Sequence, residues 1–382
     1  MTRIESVEVQ GLAGREGAVA FDLHPDLNVF WGLNGSGKTS LLRILDSALR
    51  NDAAGLTNVA FERAVVRFHS HHREQSFVRT LTKPAAAMAG ELDLWGEEQE
   101  VQSRRVRTAQ VARELRWMTK PANVEYASRS FAHAYLPITR LSPSSRPLER
   151  VSGRREAMDE SAFDDAFAEA IKVLWIRVSN QSLEAQALAQ RRGLARVMEL
   201  SFAGTRHERG LQLDAEDAYA IVRDFLRGQG VSGRINKSSF IKRYVSEPTQ
   251  REIVASILDL NLEVDEAERP MIALQDLLND LFSGSKRAVV RAHTIGFDVE
   301  GRHLDLRTLS SGERQLLLLL LEALGAEFNP LIVDEPELSM HLDWQSRLVA
   351  SIKTVNPDCQ LVLATHSPEI LATVPESKIF EL

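Results

Sequence analysis

One cysteine in 382 residues, Cys359, rules out a disulfide framework and leaves folding to a buried core, for which a composition 44% apolar and 26% charged is ample. Long apolar runs are missing too. The longest stretch of leucine, positions 316–321, falls far short of the roughly 20 residues a membrane span needs and is closed by Glu322. No leader with a basic start and an apolar middle opens the chain, so a cytoplasmic location with no membrane partner is expected. Positive charge is in deficit: 46 Lys and Arg against 53 Asp and Glu give a net charge of −7. That argues against a protein that coats nucleic acid non-specifically and leaves a local basic groove open. No apolar heptad lasts three or four repeats, and Gly193, Gly228 and Pro270 are expected to break the helices that contain them, which excludes long coiled-coil arms.

Against these absences stand four short motifs. The first, GLNGSGKT at 32–39, follows an apolar stretch at 26–31 and precedes a segment at 39–49 with apolar residues at helical spacing. A glycine-rich loop between strand and helix points successive backbone N–H groups at phosphate oxygens, at the positive end of the helix. Asn34, Gly35, Ser36, Gly37, Lys38, Thr39 and Ser40 are therefore the candidate nucleotide-binding residues. Lys38 is assigned to the β and γ phosphates and Thr39 to Mg²⁺. The second motif, LIVDEPE at 331–337, reads as a buried parallel strand that delivers two carboxylates at its C-terminal end. Asp334 is the candidate Mg²⁺ ligand, and Glu335 the candidate base that orients and deprotonates a water.

The other two motifs lie beyond an interval of about 270 positions that follows Thr39: LSSGERQ at 309–315, leading into a leucine-rich helix, and ATHSPEI at 364–370. With DEPELSMHLDWQ at 334–345, they resemble in order the signature, Walker B, D-loop and switch histidine of ABC-type ATPase heads. More narrowly, the chain resembles the stand-alone bacterial AAA/ABC-like ATPases related to the overcoming-lysogenization-defect (OLD) family, cousins of SMC and RecF heads. The resemblance implies an α/β P-loop ATPase, with a mixed sheet, an antiparallel β-layer and an α-helical insertion, that binds ATP and Mg²⁺. It also implies that Ser310, Ser311, Gly312 and Glu313 of one subunit close over the nucleotide held by another, and that His366 senses the γ-phosphate. Ser311 and Glu313 depart from the Gly and Gln of transporter heads, and no glutamine occupies a Q-loop. The segment AYLPITR at 134–140 lies where that loop would be, and Arg140 reads either as a nucleotide or subunit contact or as a plain surface arginine.

The remaining sequence fills in this frame. Alternating stretches at 3–12, 17–23, 64–70 and 76–81 read as strands, with His69, His71 and His72 at an exposed hairpin tip rather than on a metal. Helical stripes occupy the middle of the chain, and AVVRA at 288–292 and the stretch 297–306 read as a hairpin leading into the signature. The expected division is a split head, 1–145 and 286–382, around a helical lobe, 146–285. Two basic runs are either a DNA- or RNA-facing surface or a solvated face: Arg104, Arg105, Arg107, Arg113, Arg116 and Lys120, then Arg140, Arg146, Arg150, Arg154 and Arg155. The function these features suggest is an ATP-linked homodimer or higher oligomer switching nucleic-acid transactions, first among them anti-phage defence. Because the sequence ends soon after the switch motif, a separate effector such as a nuclease is expected. A RecF-like repair ATPase and a weakly hydrolysing nucleotide-bound scaffold are the alternatives.

Overall fold

The computed structural model describes residues 1–83, 115–121, 129–137, 160–203, 213–230, 235–282, 286–291 and 294–382. Most of the two basic runs, including Arg104, Arg105, Arg107, Arg113 and every arginine from Arg140 to Arg155, lies outside the described residues, as do positions 138–140 of the LPITR stretch. The chain divides into two compact units, one of 1–175, 276–289 and 295–382, the other of 176–275 and 290–294.

The first unit is built on a parallel sheet. Strands β3 (Leu27–Trp31), β7 (Ala134–Leu136), β11 (Leu331–Asp334), β12 (Leu361–Thr365) and β13 (Ile379–Glu381) lie in the order β13-β3-β12-β11-β7, every pair parallel. Both faces are covered, so β11 and β12 are buried at every position, as continuous apolar runs require. A second, antiparallel sheet holds β1 (Thr2–Gln10), β2 (Ala18–Asp22), β4 (Arg63–Ser70), β5 (Gln75–Thr82) and β6 (Met118–Lys120) in the order β2-β1-β4-β5-β6. This is the expected β-layer, and the mixed character of the fold is divided between the two sheets. The three histidines meet the turn between β4 and β5, where His69 Nδ1 lies 3.1 Å from Ser76 Oγ.

Helix α1 (Lys38–Arg50) packs against both sheets. Its Leu41, Leu42, Ile44, Leu45, Ala48 and Leu49 share one core with Ile4, Val7, Val66 and Phe68 of the β-layer and with Phe30, Ile332, Val362 and Ala364 of the parallel sheet. At its far end Arg79, fully buried, donates to the carbonyls of Ala48 and Leu49 and lies over the rings of Phe68 and Phe131. Burial pushes its guanidinium down to about 10, still charged at neutral pH, where it complements the negative end of the helix. The helix that starts at the phosphate loop is thus fixed at its other end by a cation.

The second unit holds residues of four helices: α2 (Glu160–Ala203), α3 (Ala215–Gly228), α4 (Lys237–Ser246) and α5 (Pro248–Leu281). Two expected breaks are not there: α2 runs through Gly193 and α5 through Pro270, giving helices about 66 and 51 Å long. Gly193 is a packing residue, since a Cβ there would lie 2.5 Å from Leu260 Cδ1. Pro270 interrupts the hydrogen-bond ladder of α5, and in that turn the hydroxyl of Ser182 donates to the carbonyl of Ala267 at 3.0 Å. The pairs Ser182–Ala267, Gly193–Leu260 and Arg196–Asp259 run in opposite senses, so α2 and α5 form an antiparallel pair. Asp214 caps α3, as its sequence position suggests, and Gly228 ends it. A small core of Ala218, Val222, Tyr244, Val254 and Ile257 joins α3, α4 and α5.

The stretch before the signature departs from expectation in detail. Strands β8 (Lys286–Arg291), β9 (Thr294–Val299) and β10 (Arg302–Leu304) form a three-stranded sheet, so the segment 297–306 is itself a hairpin. Glu300 and Gly301 both take positive φ, 50° and 78°, between paired Val299 and Arg302. That is the two-residue turn an acidic residue followed by glycine makes.

Candidate nucleotide-binding site

Strand β12 separates the phosphate-loop strand β3 from the Walker B strand β11, in register Thr365 to Trp31 and Asp334 to Ala364. Because all three run parallel, the loop after β3, Glu335 after β11 and His366 after β12 emerge at the same C-terminal edge, where open α/β sheets bind ligands. The strand order explains why residues so far apart in sequence form one site.

In the phosphate loop, Gly35 and Gly37 take φ of 82° and 102°, which a side chain would strain. A Cβ on Gly32 would lie 2.3 Å from the Leu382 carbonyl oxygen. Gly37 caps α1 without a side chain and so leaves the first N–H groups of the helix available to an anion. The Lys38 ammonium donates to the Gly32 carbonyl at 2.9 Å and to that of Leu33 at 3.1 Å, which holds it over the mouth of the loop. Burial lowers the Lys38 ammonium below the ordinary lysine range, and the carboxylates of Glu335, Asp334 and Glu337 act in the other direction. Asp334 is fully buried and accepts from Thr39 Oγ1 at 3.3 Å. Burial, with Asp334 next in effect, also raises the Tyr135 hydroxyl.

These residues fit a nucleoside triphosphate with Mg²⁺. Two hard oxygen donors, Thr39 Oγ1 and Asp334 Oδ1, stand together beside an ammonium and a free helix N-terminus, a donor set suited to a small divalent cation and its phosphates. Glu335 sits with φ of +46°, an uncommon conformation for a non-glycine residue and one that concentrates at functional sites. Its Oε1 lies 3.5 Å from His366 Nε2, and both side chains are partly exposed.

The signature residues gather elsewhere. Ser310 caps α6 (Ser311–Gly325) in a reciprocal box, Ser310 Oγ accepting from Glu313 N at 3.3 Å and Glu313 Oε2 accepting from Ser310 N at 2.8 Å. Glu313 Oε1 accepts from Lys286 Nζ at 2.5 Å. Burial works against the Glu313 charge, but Lys286 and the Ser310 N–H outweigh it and hold the carboxyl below the usual range. Gly312 is closely covered, since a Cβ would lie 2.4 Å from the Ser339 carbonyl oxygen, and Gln315 Nε2 donates to the Pro336 carbonyl at 2.7 Å. None of these contacts joins the signature to the phosphate loop of the same chain, while Ser310 and Ser311 are exposed.

Behind this edge lies a polar group that none of the four motifs points to. Glu337 Oε1 accepts from Thr365 Oγ1 at 2.8 Å, His366 N at 2.6 Å and Ser367 N at 3.1 Å. Gln345, on α7 (Leu342–Val355), donates to the Met340 carbonyl at 3.0 Å and accepts from Ser367 Oγ at 2.7 Å. The available signal was the third acid of DEPE, two positions beyond Glu335.

Residues 27–372 match the family described as "AAA domain, putative AbiEii toxin, Type IV TA system". The chain belongs to that family. The strand order and the four motifs agree with a P-loop fold of that kind. Among curated relatives of this AAA family member, the "Retron Vc95 probable ATPase" of Vibrio cholerae serotype O1 biovar El Tor is 33% identical over 92 residues, 21% of this chain and 18% of the relative. The "Retron Ec83 probable ATPase" of Escherichia coli is 21% identical over 162 residues, 38% of this chain and 30% of the relative. The chain thus spans less than a third of either relative. Similar solved structures include an Smc head domain with an extended coiled coil bound to the C-terminal domain of ScpA, derived from Pyrococcus furiosus, at 14% identity and TM-score 0.42, covering 100% of this chain and 93% of that one. An Smc head domain with a coiled coil and joint, derived from Pyrococcus yayanosii, is 13% identical at TM-score 0.43, covering 100% and 95%. Among the described residues, no helix is long and apolar enough to cross a membrane.

Proposed function

We propose that this protein hydrolyses ATP with Mg²⁺ as a dimer that closes around nucleotide, and that the closed and open states switch a separate effector in defence against phage. The observation that carries the reading is the division of the site: phosphate loop, Asp334, Glu335 and His366 meet at one sheet edge, while Ser310 and Ser311 are ordered by their own cap and face outward. A second subunit would supply the missing donors. The Ser310 hydroxyl accepts from Glu313 N and so keeps its own proton to donate to a phosphate. Thr39 and Asp334 would hold the cation, which when bound neutralises phosphate charge. Lys38 and the N–H groups of the loop bind the phosphate oxygens, and Glu335 takes the proton of a water that it orients. Retron relatives, and a family description that refers to a toxin–antitoxin system, favour defence over repair. The helical lobe is the proposed place where an effector is engaged, and the basic run that begins at Arg104 the proposed place for nucleic acid.

Glu335→Gln decides the core of this reading. Turnover is expected to fall by about a hundredfold or more while ATP binding persists, and sedimentation with ATP and Mg²⁺ should show the variant accumulating as a dimer. Unchanged turnover removes Glu335 from its role; an ATP-saturated monomer removes the dimer. Reversing the charge of Arg104, Arg105 and Arg107 tests nucleic acid separately, with affinity expected to drop and its salt dependence to flatten.

A further inference from the structure

The acid two residues beyond Glu335 has an unusual set of partners. A single oxygen of Glu337 accepts three hydrogen bonds, all from the consecutive residues Thr365, His366 and Ser367. Two of the donors are backbone N–H groups at the end of β12, and a carboxylate binds such groups about twice as strongly as a neutral acceptor. Ser367 is drawn in again from the other side, because its hydroxyl donates to Gln345 Oε1 and its N–H also donates to Thr365 Oγ1. Gln345 Nε2 in turn donates to the Met340 carbonyl, in the turn that Glu337 opens. The segment carrying His366 is therefore fastened to the Walker B turn by side chains, beyond the parallel ladder that ends at Thr365.

We propose that Glu337 is a positioning residue for the ATPase reaction: it fixes residues 365–367 so that the imidazole of His366 stands beside Glu335, and Gln345 of the D-loop helix completes the clasp. The proposal rests on the reading that Glu335 and His366 act on the nucleotide. Its consequence is a direct linkage. Residues 337–345 are the stretch that also packs Ser339 over Gly312 of the signature, so a displacement of that stretch when a second subunit arrives reaches His366 through Glu337 and Gln345 without crossing the sheet.

The test is a double-mutant cycle on kcat and KM for ATP, with thermal melting as the check on folding. Glu337→Ala should lower kcat about tenfold or more with KM within about threefold, since binding is left to the phosphate loop. Glu337→Gln keeps an accepting oxygen without the charge and should fall in between. In a His366→Ala background either change should cost less than about twofold, because its target has gone. Equal losses with and without His366, or wild-type turnover in both Glu337 variants, overturn the proposal. If Glu337→Ala does not fold, the Glu337→Gln cycle decides by the same criterion. If His366→Ala turns over too slowly, the side-chain ¹⁵N resonance of His366 decides: it should move in Glu337→Gln, and an unmoved resonance overturns the inference. Glu335→Gln run alongside separates the two failures: wild-type turnover there sinks the underlying reading, whereas lost turnover there beside wild-type turnover in both Glu337 variants sinks the clasp alone.

Discussion

The phosphate-loop side and the signature side of the head are built in opposite ways. On the first, Gly35 and Gly37 are needed for conformation and the functional groups converge within one chain: Lys38 folded over its own loop, Thr39 on Asp334, Glu335 beside His366. On the second, glycine is needed for space and the local structure is complete without any ligand, Ser310 and Glu313 capping each other and Lys286 neutralising the acid. One side is arranged to receive a ligand and the other to be presented. The difference teaches what the proposed dimer would require: each surface completed by the other surface of a second copy.

The largest effect should come from separating the two sides. Lys38→Ala alone is expected to lose turnover by about a hundredfold or more, since a phosphate-binding ammonium in a site of this kind contributes several kcal/mol. Ser310→Arg alone should also be inactive. Mixed in equal amounts, the two variants should recover turnover from at most one working site per dimer, and full recovery, or none at any ratio, would break the contrast between a receiving and a presenting side.

A smaller effect distinguishes the glycines. Gly312→Ala drives a Cβ to 2.4 Å from a backbone oxygen, an overpacking expected to cost about 1–3 kcal/mol of stability. Gly35→Ala meets nothing within 4 Å, yet its φ of +82° costs roughly 1–2 kcal/mol. The two can be told apart by chemical denaturation with and without ATP. Nucleotide should offset the Gly35 loss poorly, because the loop itself is damaged, and should rescue Gly312→Ala as fully as wild type, since a lone subunit binds through the other side. Equal behaviour would mean that both glycines serve one purpose.

How much was legible follows the same division. The phosphate loop and LIVDEP could be read because their chemistry is written in adjacent residues: backbone N–H groups, a lysine and a hydroxyl within eight positions, two acids at the end of an apolar strand. Glu337 is not legible because its partners, Thr365 to Ser367, follow the neighbouring strand β12, distant in sequence, and a sequence does not state which loops share an edge. At Gly193 and Pro270 packing outranks local propensity. Gly193 is where Leu260 needs room, and the antiparallel pair in the lobe absorbs a proline that an isolated helix would not. Glu300 and Gly301 were read as part of a strand although acid followed by glycine is a hairpin turn.

The smallest effect concerns the ion pair that steadies the presented side. Because the Glu313 carboxyl is held below its unfolded value, it contributes stability that is present above the ordinary glutamate range, near about pH 4.3, and lost as pH falls through its lowered folded value. Lys286→Met removes the cation and returns Glu313 toward its ordinary value, so the variant has less stability to lose on acidification and should depend less on pH than wild type. At pH 7 the difference between them should be about 1 kcal/mol at most, both side chains being only partly shielded from solvent. It should shrink to nothing once the glutamate is protonated in both, because a neutral carboxyl needs no cation. Denaturation midpoints at pH 7, 5 and 3 trace this course. A gap that persists undiminished at pH 3 would mean that Lys286 acts through packing of its stem, and that the signature cap stands without the charge.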